Sequence, residues 1–206
     1  MIHSAPAAPS RWLRDYGLPA FLTLASLLIA LLGDDTAAAL RYERAPILAG
    51  EVWRLFTGHL VHLSWSHLWL NLGGLALIWF LFRRQLGAGM WWLVLLVSSL
   101  AVSSGFLLFD PALEWYVGLS GVLHGLFMAG LIVGLRTGAW SDWLLLSAVV
   151  AKLIWEQLYG ALPGSTEAAG GNVIVDAHLY GAIGGAAVAL ALRLYRRGKY
   201  GERVNN

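Results

Sequence analysis

Six apolar stretches divide the chain, at about residues 18–32, 68–82, 90–109, 119–135, 143–159 and 173–194, separated by polar or glycine-rich intervals of which the first, 33–66, is long. None of the six alternates apolar with polar positions at period two, so strands do not compete. The pattern predicts an all-α membrane protein with six transmembrane helices. Several stretches are shorter than the roughly 20 residues that a full span prefers. Their polar ends must therefore dip into the bilayer, or the bilayer must thin around them. The second extends backward, because Leu60, Val61 and Leu63 are also apolar.

The polar intervals differ in character. Residues 33–66 mix Arg41, Glu43, Arg44, Glu51 and Arg54 with Trp53, Leu55 and Phe56. That mixture suits either an amphipathic element in the membrane interface or a solvated loop. Residues 160–172 are glycine-rich, as expected of a mobile lid over a site or of a simple connector. The segment after Arg193 is basic and would favour an anionic leaflet.

Composition agrees with the pattern. Of 206 residues 58% are hydrophobic and only 13% charged, with mean hydropathy +0.65; soluble domains carry about 25% charged residues. The length suits one domain over 1–206, with a basic tail from about 195 to 206. There is no cysteine, which excludes disulfide and thiolate chemistry. Nothing points to nucleic acid; the expected partners are the lipid bilayer and membrane proteins.

Lys and Arg set the orientation. With a cytoplasmic N-terminus, the inner side holds Arg11, Arg14, Arg83, Arg84, Arg136, Arg193, Arg196, Arg197, Lys199 and Arg203, against Arg41, Arg44 and Arg54 outside. Both termini are then cytoplasmic. Trp12, Trp91, Trp92, Trp140 and Trp143 are expected in an inner aromatic belt, and Trp53, Trp65, Trp115 and Tyr116 in an outer one. The first stretch, followed by Thr36-Ala37-Ala38-Ala39, has the order of a cleavable signal. We expect it to remain in the bundle.

Polar groups inside membrane helices are costly, which marks Ser120, His124, His178, His67, Asn71, Lys152 and Glu156 as candidates for chemistry. Gly121, Gly125 and Ala129 give the fourth stretch a face of small residues, and Ala177, Gly181, Gly185 and Ala189 give the sixth another. Two such faces let backbones approach closely. Close approach would bring the Ser120 hydroxyl within reach of the His178 imidazole, as a general base requires. On spacing alone His124, one turn after Ser120, is the rival base, although i and i+4 side chains are held side by side. His67 and Asn71, also one turn apart, would stabilise an oxyanion if placed near Ser120. Lys152 and Glu156 form either an intrahelical pair that lowers the cost of two charges or a substrate or gating contact. His59, His62 and His67 lack the spacing and the carboxylate partner of a metal centre. Neither metal nor cofactor is expected.

Three motifs then point to a family. Gly118-Leu119-Ser120-Gly121, Ala177-His178-Leu179-Tyr180-Gly181-Ala182-Ile183-Gly184 and His67-Leu68-Trp69-Leu70-Asn71 resemble those of the rhomboid intramembrane serine proteases. Glu51-Val52-Trp53-Arg54-Leu55-Phe56-Thr57 is similar to the Trp-Arg motif of the rhomboid first outer loop. The resemblance implies a six-helix rhomboid fold with an outward cavity. It implies Ser120 as nucleophile and His178 as base, a pair without aspartate. The Ser120 N–H, His67 and Asn71 would form the oxyanion hole, and residues 160–172 the cap. Gly118, Gly121, Gly181 and His124 would pack around the pair. His124 stands where many rhomboids place a tyrosine that stacks on the histidine, and His62 matches a structural histidine of the first loop.

Gly-Leu-Ser-Gly-Val-Leu-His-Gly, together with Lys152-Leu153-Ile154-Trp155-Glu156-Gln157, most resembles the rhombosortase subgroup. That implies a bacterial inner-membrane enzyme with a periplasmic site. Its substrate would be the transmembrane segment of an exported protein carrying a C-terminal Gly-Gly sorting tail. The competing classes are a catalytically silent helix-binding relative and a small membrane transporter.

Overall fold

The computed structural model describes residues 11–135 and 139–204, and the side chains of 16–135 and 139–196. It is predominantly helical. Among the described residues six helices contain 15 or more residues: α1 (Arg11–Leu32), α5 (Trp65–Phe82), α6 (Ala88–Phe109), α7 (Ser120–Gly134), α8 (Trp140–Tyr159) and α10 (Asp176–Val204). They coincide with the six apolar stretches. Short helices fill the intervals: α2 (Asp34–Leu40), α3 (Arg44–Leu48), α4 (Arg54–Thr57) and α9 (Ser165–Ala169).

By length and composition, α5, α6 and the Asp176–Arg196 part of α10 are able to cross a membrane, and the apolar runs Tyr16–Leu32 and Ser120–Gly134 are shorter. The sixth long helix, α8, has length enough but carries Asp142, Lys152 and Glu156, which lower its hydropathy. Apolar side chains point outward as well as inward. Leu77, Phe80, Leu108, Leu144, Leu158 and Leu190 are all exposed. Helices apolar on every side belong in lipid.

At the centre stands α7. Leu119, Val122, Leu126 and Ala129 are fully buried among Leu68 and Leu75 of α5, Val94 of α6 and Ala182 and Ala189 of α10. Leu18 and Leu22 of α1 belong to the same core, so the first stretch is part of the bundle. The expected glycine contact is present. A β-carbon on Gly121 would stand 2.7 Å from the Ala177 carbonyl oxygen, and one on Gly125 2.6 Å from that of Gly181. Below, the Arg193 guanidinium donates to the Ile132 and Leu135 carbonyls at 2.9 and 3.1 Å, satisfying the C-terminal end of α7.

The 33–64 interval is a folded layer across one end of the bundle, not a free loop. Strand β1 (Tyr42–Glu43) pairs antiparallel with β2 (Trp115–Tyr116). Arg54, in the Trp-Arg motif, is buried; its guanidinium donates to the Ala38 and Arg41 carbonyls at 2.8 and 3.0 Å and to Glu51 at 2.6 Å. Arg41 donates to Glu43 at 3.0 Å and holds that carboxyl below its usual range. Arg44 reaches across to the Phe106 and Leu107 carbonyls that end α6, both at 3.1 Å.

Two aromatic expectations are corrected. Trp91 and Tyr116 are 4% and 3% exposed and lie in the core, not at an interface. Trp91 packs with Val94 and the other residues of the main core, and Tyr116 against Phe106. The remaining described tryptophans of the two belts, Trp53, Trp65, Trp92, Trp115, Trp140 and Trp143, are exposed. Trp12, Arg11, Arg14, Arg136, Arg197, Lys199 and Arg203 lie outside the described side chains, and with them most of the basic tail.

Candidate active site

Ser120 is the first residue of α7. Tyr116 and Gly118 place it there. The Tyr116 hydroxyl, its pKa pushed up to about 12 by burial, donates to the Gly118 carbonyl at 2.8 Å. Gly118 has φ +125, and a β-carbon there would stand 2.8 Å from the His67 ring. Only glycine accepts both constraints. Since the first helical hydrogen bond is Leu123 N–H to the Leu119 carbonyl at 2.9 Å, the Ser120 N–H lies in the turn whose amides have no intrahelical partner.

His178 is in the first turn of α10 and 5% exposed. The glycine-lined contact between α7 and α10 sets its Nε2 3.0 Å from the Ser120 Oγ. His124, one turn along α7, does not approach that hydroxyl. Its Nδ1 lies 2.8 Å from the Ser120 carbonyl oxygen, and its ring stacks on His178 with centroids 4.1 Å apart and planes 21° apart. The spacing argument had left the base open between the two histidines; the geometry puts His178 on the hydroxyl and His124 on the ring.

The far side of His178 is occupied. Its Nδ1 lies 3.1 and 3.0 Å from the two carboxylate oxygens of Glu156, a residue 3% exposed on α8. Lys152, one turn earlier, donates to Glu156 at 2.6 Å, and its Nζ is also 2.9 Å from His124 Nε2. The intrahelical pair is therefore real, but it also reaches the histidine. The resemblance implied a pair without aspartate; the carboxylate that stands beside His178 is a glutamate. Sequence reasoning singled out both residues and missed their target, because nothing in the i, i+4 spacing says which face of α8 turns inward.

His67 and Asn71 are buried on α5. Ser64 caps that helix, accepting the His67 N–H at 3.1 Å. The Leu63 N–H approaches His67 Nδ1 at 3.3 Å, which leaves the Nε2 as the donor. Asn71 donates one hydrogen to the His67 carbonyl at 2.9 Å. The Ser64 hydroxyl also donates to the Ala169 carbonyl at 3.0 Å, which seats α9 over this corner. His62 packs edge-on against His67, centroids 5.0 Å apart. Gly181 lies against Gly121 and so belongs to the helix contact that positions the pair.

Ser120, His178, His124, Lys152, Glu156, His67 and Asn71 line one open cavity of about 360 Å³, bordered by Leu162, Ser165, Ala169 and Val173 from the 160–172 interval and its neighbour. Its other walls are apolar: Leu70, Ile78, Leu123, Phe127 and Val149. A slot of this kind accepts a short apolar chain beside the hydroxyl. His124, Glu156 and His178 present ligand atoms within 4.8 Å of one another, as a metal site does. The Lys152 ammonium lies among those three atoms, at 2.9, 2.6 and 3.5 Å. A second cation does not fit beside it.

A serine–histidine contact at the mouth of a helical membrane bundle, backed by amide donors, has the form of a serine-hydrolase site. The Rhomboid domain family matches residues 49–195, and the chain belongs to that family as a multi-pass membrane protein. It is similar to the rhomboid protease GlpG of Salmonella choleraesuis strain SC-B67, 29% identical over 181 residues, covering 84% of this chain and 61% of the relative. The GlpG proteins of Salmonella newport strain SL254 and Salmonella typhimurium strain LT2 are 28% identical over the same shares. The chain thus spans about three-fifths of the length of these relatives.

Proposed function

We propose that this protein is an intramembrane serine endopeptidase. The observation that carries the reading is the 3.0 Å contact of Ser120 Oγ with His178 Nε2 inside a cavity also lined by His67 and Asn71. Membership of the rhomboid family and likeness to proteins named rhomboid protease support it.

In this reading Ser120 Oγ attacks the scissile carbonyl while His178 Nε2 takes its proton. The new oxyanion accepts from the Ser120 N–H, the His67 Nε2–H and the free Asn71 amide hydrogen. As the C–N bond breaks, His178 returns the proton to the leaving amine. Water then enters from the cavity and hydrolyses the ester by the reverse sequence.

The chain forms one domain over 1–206, its six long helices all cross the bilayer, and both termini are cytoplasmic. The site then faces the periplasm of a bacterial inner membrane. The substrate is the transmembrane segment of an exported protein, and the rhombosortase resemblance assigns it a Gly-Gly sorting tail. His124, joined to Lys152, supports the subgroup.

A co-expression assay tests the reading. The reporter is an exported domain followed by Gly-Gly, an apolar helix and a basic tail. Wild type should release the domain, whereas Ser120→Ala and His178→Ala should not. Cleavage of a general rhomboid substrate alone would discard the sorting-tail assignment and keep the protease. Silence on both substrates, from protein folded in the membrane, would favour the helix-binding class.

A further inference from the structure

We propose that Glu156 is a positioning residue for His178, held in place by Lys152, so that Ser120, His178 and Glu156 act as a carboxylate-backed triad. The proposal rests on the serine–histidine reading above and extends it to residues that reading does not use.

With Lys152 as an ammonium and Glu156 as a carboxylate, the shorter hydrogen bonds favour one assignment. An ammonium only donates and an ionised carboxylate only accepts. The His124 Nε2 facing Lys152 must therefore accept, and the proton of His124 sits on Nδ1, where it meets the Ser120 carbonyl at 2.8 Å. The His178 Nδ1 facing Glu156 must donate, which leaves the lone pair of Nε2 towards the Ser120 hydroxyl. The five bonds close a ring from the Ser120 hydroxyl through His178, Glu156, Lys152 and His124 back to the Ser120 carbonyl. Lys152 Nζ also lies 3.5 Å from His178 Nδ1, farther than either Glu156 oxygen at 3.1 and 3.0 Å. A carboxylate with both oxygens on Nδ1 favours the tautomer of the base that leaves Nε2 free to accept.

A pair on α8 formed merely to reduce the cost of its charges is complete at the 2.6 Å contact of Lys152 with Glu156. Nothing in that function aims both carboxylate oxygens at one imidazole nitrogen of another helix. The Lys152 ammonium at 2.6 Å is the charge partner that a carboxylate only 3% exposed requires. When His178 takes the serine proton, the imidazolium forms against that carboxylate. His124 cannot replace Glu156, because it meets the ring by its face.

Fluorophosphonate labelling of purified protein in nanodiscs reads Ser120 without any substrate. The Ser120 oxygen bonds to phosphorus, fluoride leaves, and His178 takes the proton. Wild type should label, and Ser120→Ala and His178→Ala should not; labelling that does not depend on His178 removes the serine–histidine reading itself. Within a His178-dependent reaction, Glu156→Gln should label on the order of 10⁴-fold more slowly, as for other triads whose carboxylate is neutralised. Glu156→Asp should recover part of the rate. A folded Glu156→Gln that labels like wild type overturns the proposal and leaves the pair intact. Nitrogen-15 histidine spectra of the wild type need no variant. His178 should carry its proton on Nδ1, and Glu156→Gln should populate the other tautomer. A wild-type His178 protonated on Nε2 overturns the assignment even if every variant fails to fold.

Discussion

Gly181 of α10 lies so close to Gly121 of α7 that a β-carbon on Gly181 would fall on the Gly121 carbonyl. One turn on, Gly185 stands in the same relation to the Gly125 carbonyl. The distance between Ser120 and His178 is therefore set by backbones in contact, not by side chains that can adjust. Gly181→Ala should push α10 away from α7 at the height of the pair. We expect about 100-fold less cleavage, because a displacement near 1 Å is enough for that, together with a lower melting temperature. Gly73→Ala, on α5 with open space around it, is the control and should match wild type in both measurements.

His67 and Asn71 should act on the rate rather than on substrate binding. Each donates to a charge that exists only after Ser120 attacks. His67→Ala or Asn71→Ala should lower kcat by about 10² to 10³ with little change in KM. A rise in KM at constant kcat would instead make them binding residues. The measurement is steady-state cleavage in detergent or nanodiscs.

Arg54 should resist replacement by lysine. Its planar guanidinium serves Glu51 and the Ala38 and Arg41 carbonyls at once, from a buried position. An ammonium on a flexible stem cannot reproduce that fork. Arg54→Lys should lose at least one of these charge-assisted hydrogen bonds, costing about 1.5–3 kcal/mol. The expected outcome is a lower melting temperature and earlier proteolysis within residues 33–64.

His59 should make the fold sensitive to acid. It lies in the 3₁₀ turn between α4 and α5, fully buried, with Nε2 at 3.2 Å from the Ser99 carbonyl and Nδ1 without a partner. Burial lowers its pKa to about 4 from the ordinary 6.5. The unfolded chain therefore takes up this proton first as pH falls. The stability contributed by neutral His59 is complete above pH 6.5 and is lost progressively towards pH 4. Melting temperature should drop across that window. His59→Gln, which keeps a donor for Ser99 but does not titrate, should show a shallower drop.

Much of this arrangement was legible in the chain. The six apolar stretches became the six long helices, because a long apolar run in lipid must satisfy its backbone internally and has few other ways to do so. The small-residue faces on α7 and α10 announced their contact, since glycine at every fourth position allows a close approach that larger residues forbid. Ser64 ahead of His67 was a readable helix cap that went unnoticed. Trp91 and Tyr116 were misplaced because an aromatic beside a polar interval suits an interface and a core equally well.

What the sequence by itself determined is local and periodic: which segments are helices, which faces are small, and which polar residues lie in apolar surroundings at a cost. Only the tertiary structure decided how those polar residues are joined. His124 and His178 both lay within plausible reach of Ser120, and Lys152 and Glu156 formed a complete pair on their own helix. The choice among these partners depends on the rotation of α8 and α10 about their axes, and packing sets that rotation across residues far apart in the chain. A turn of α8 by one residue, about 100°, would keep every sequence pattern described above and take Glu156 away from His178.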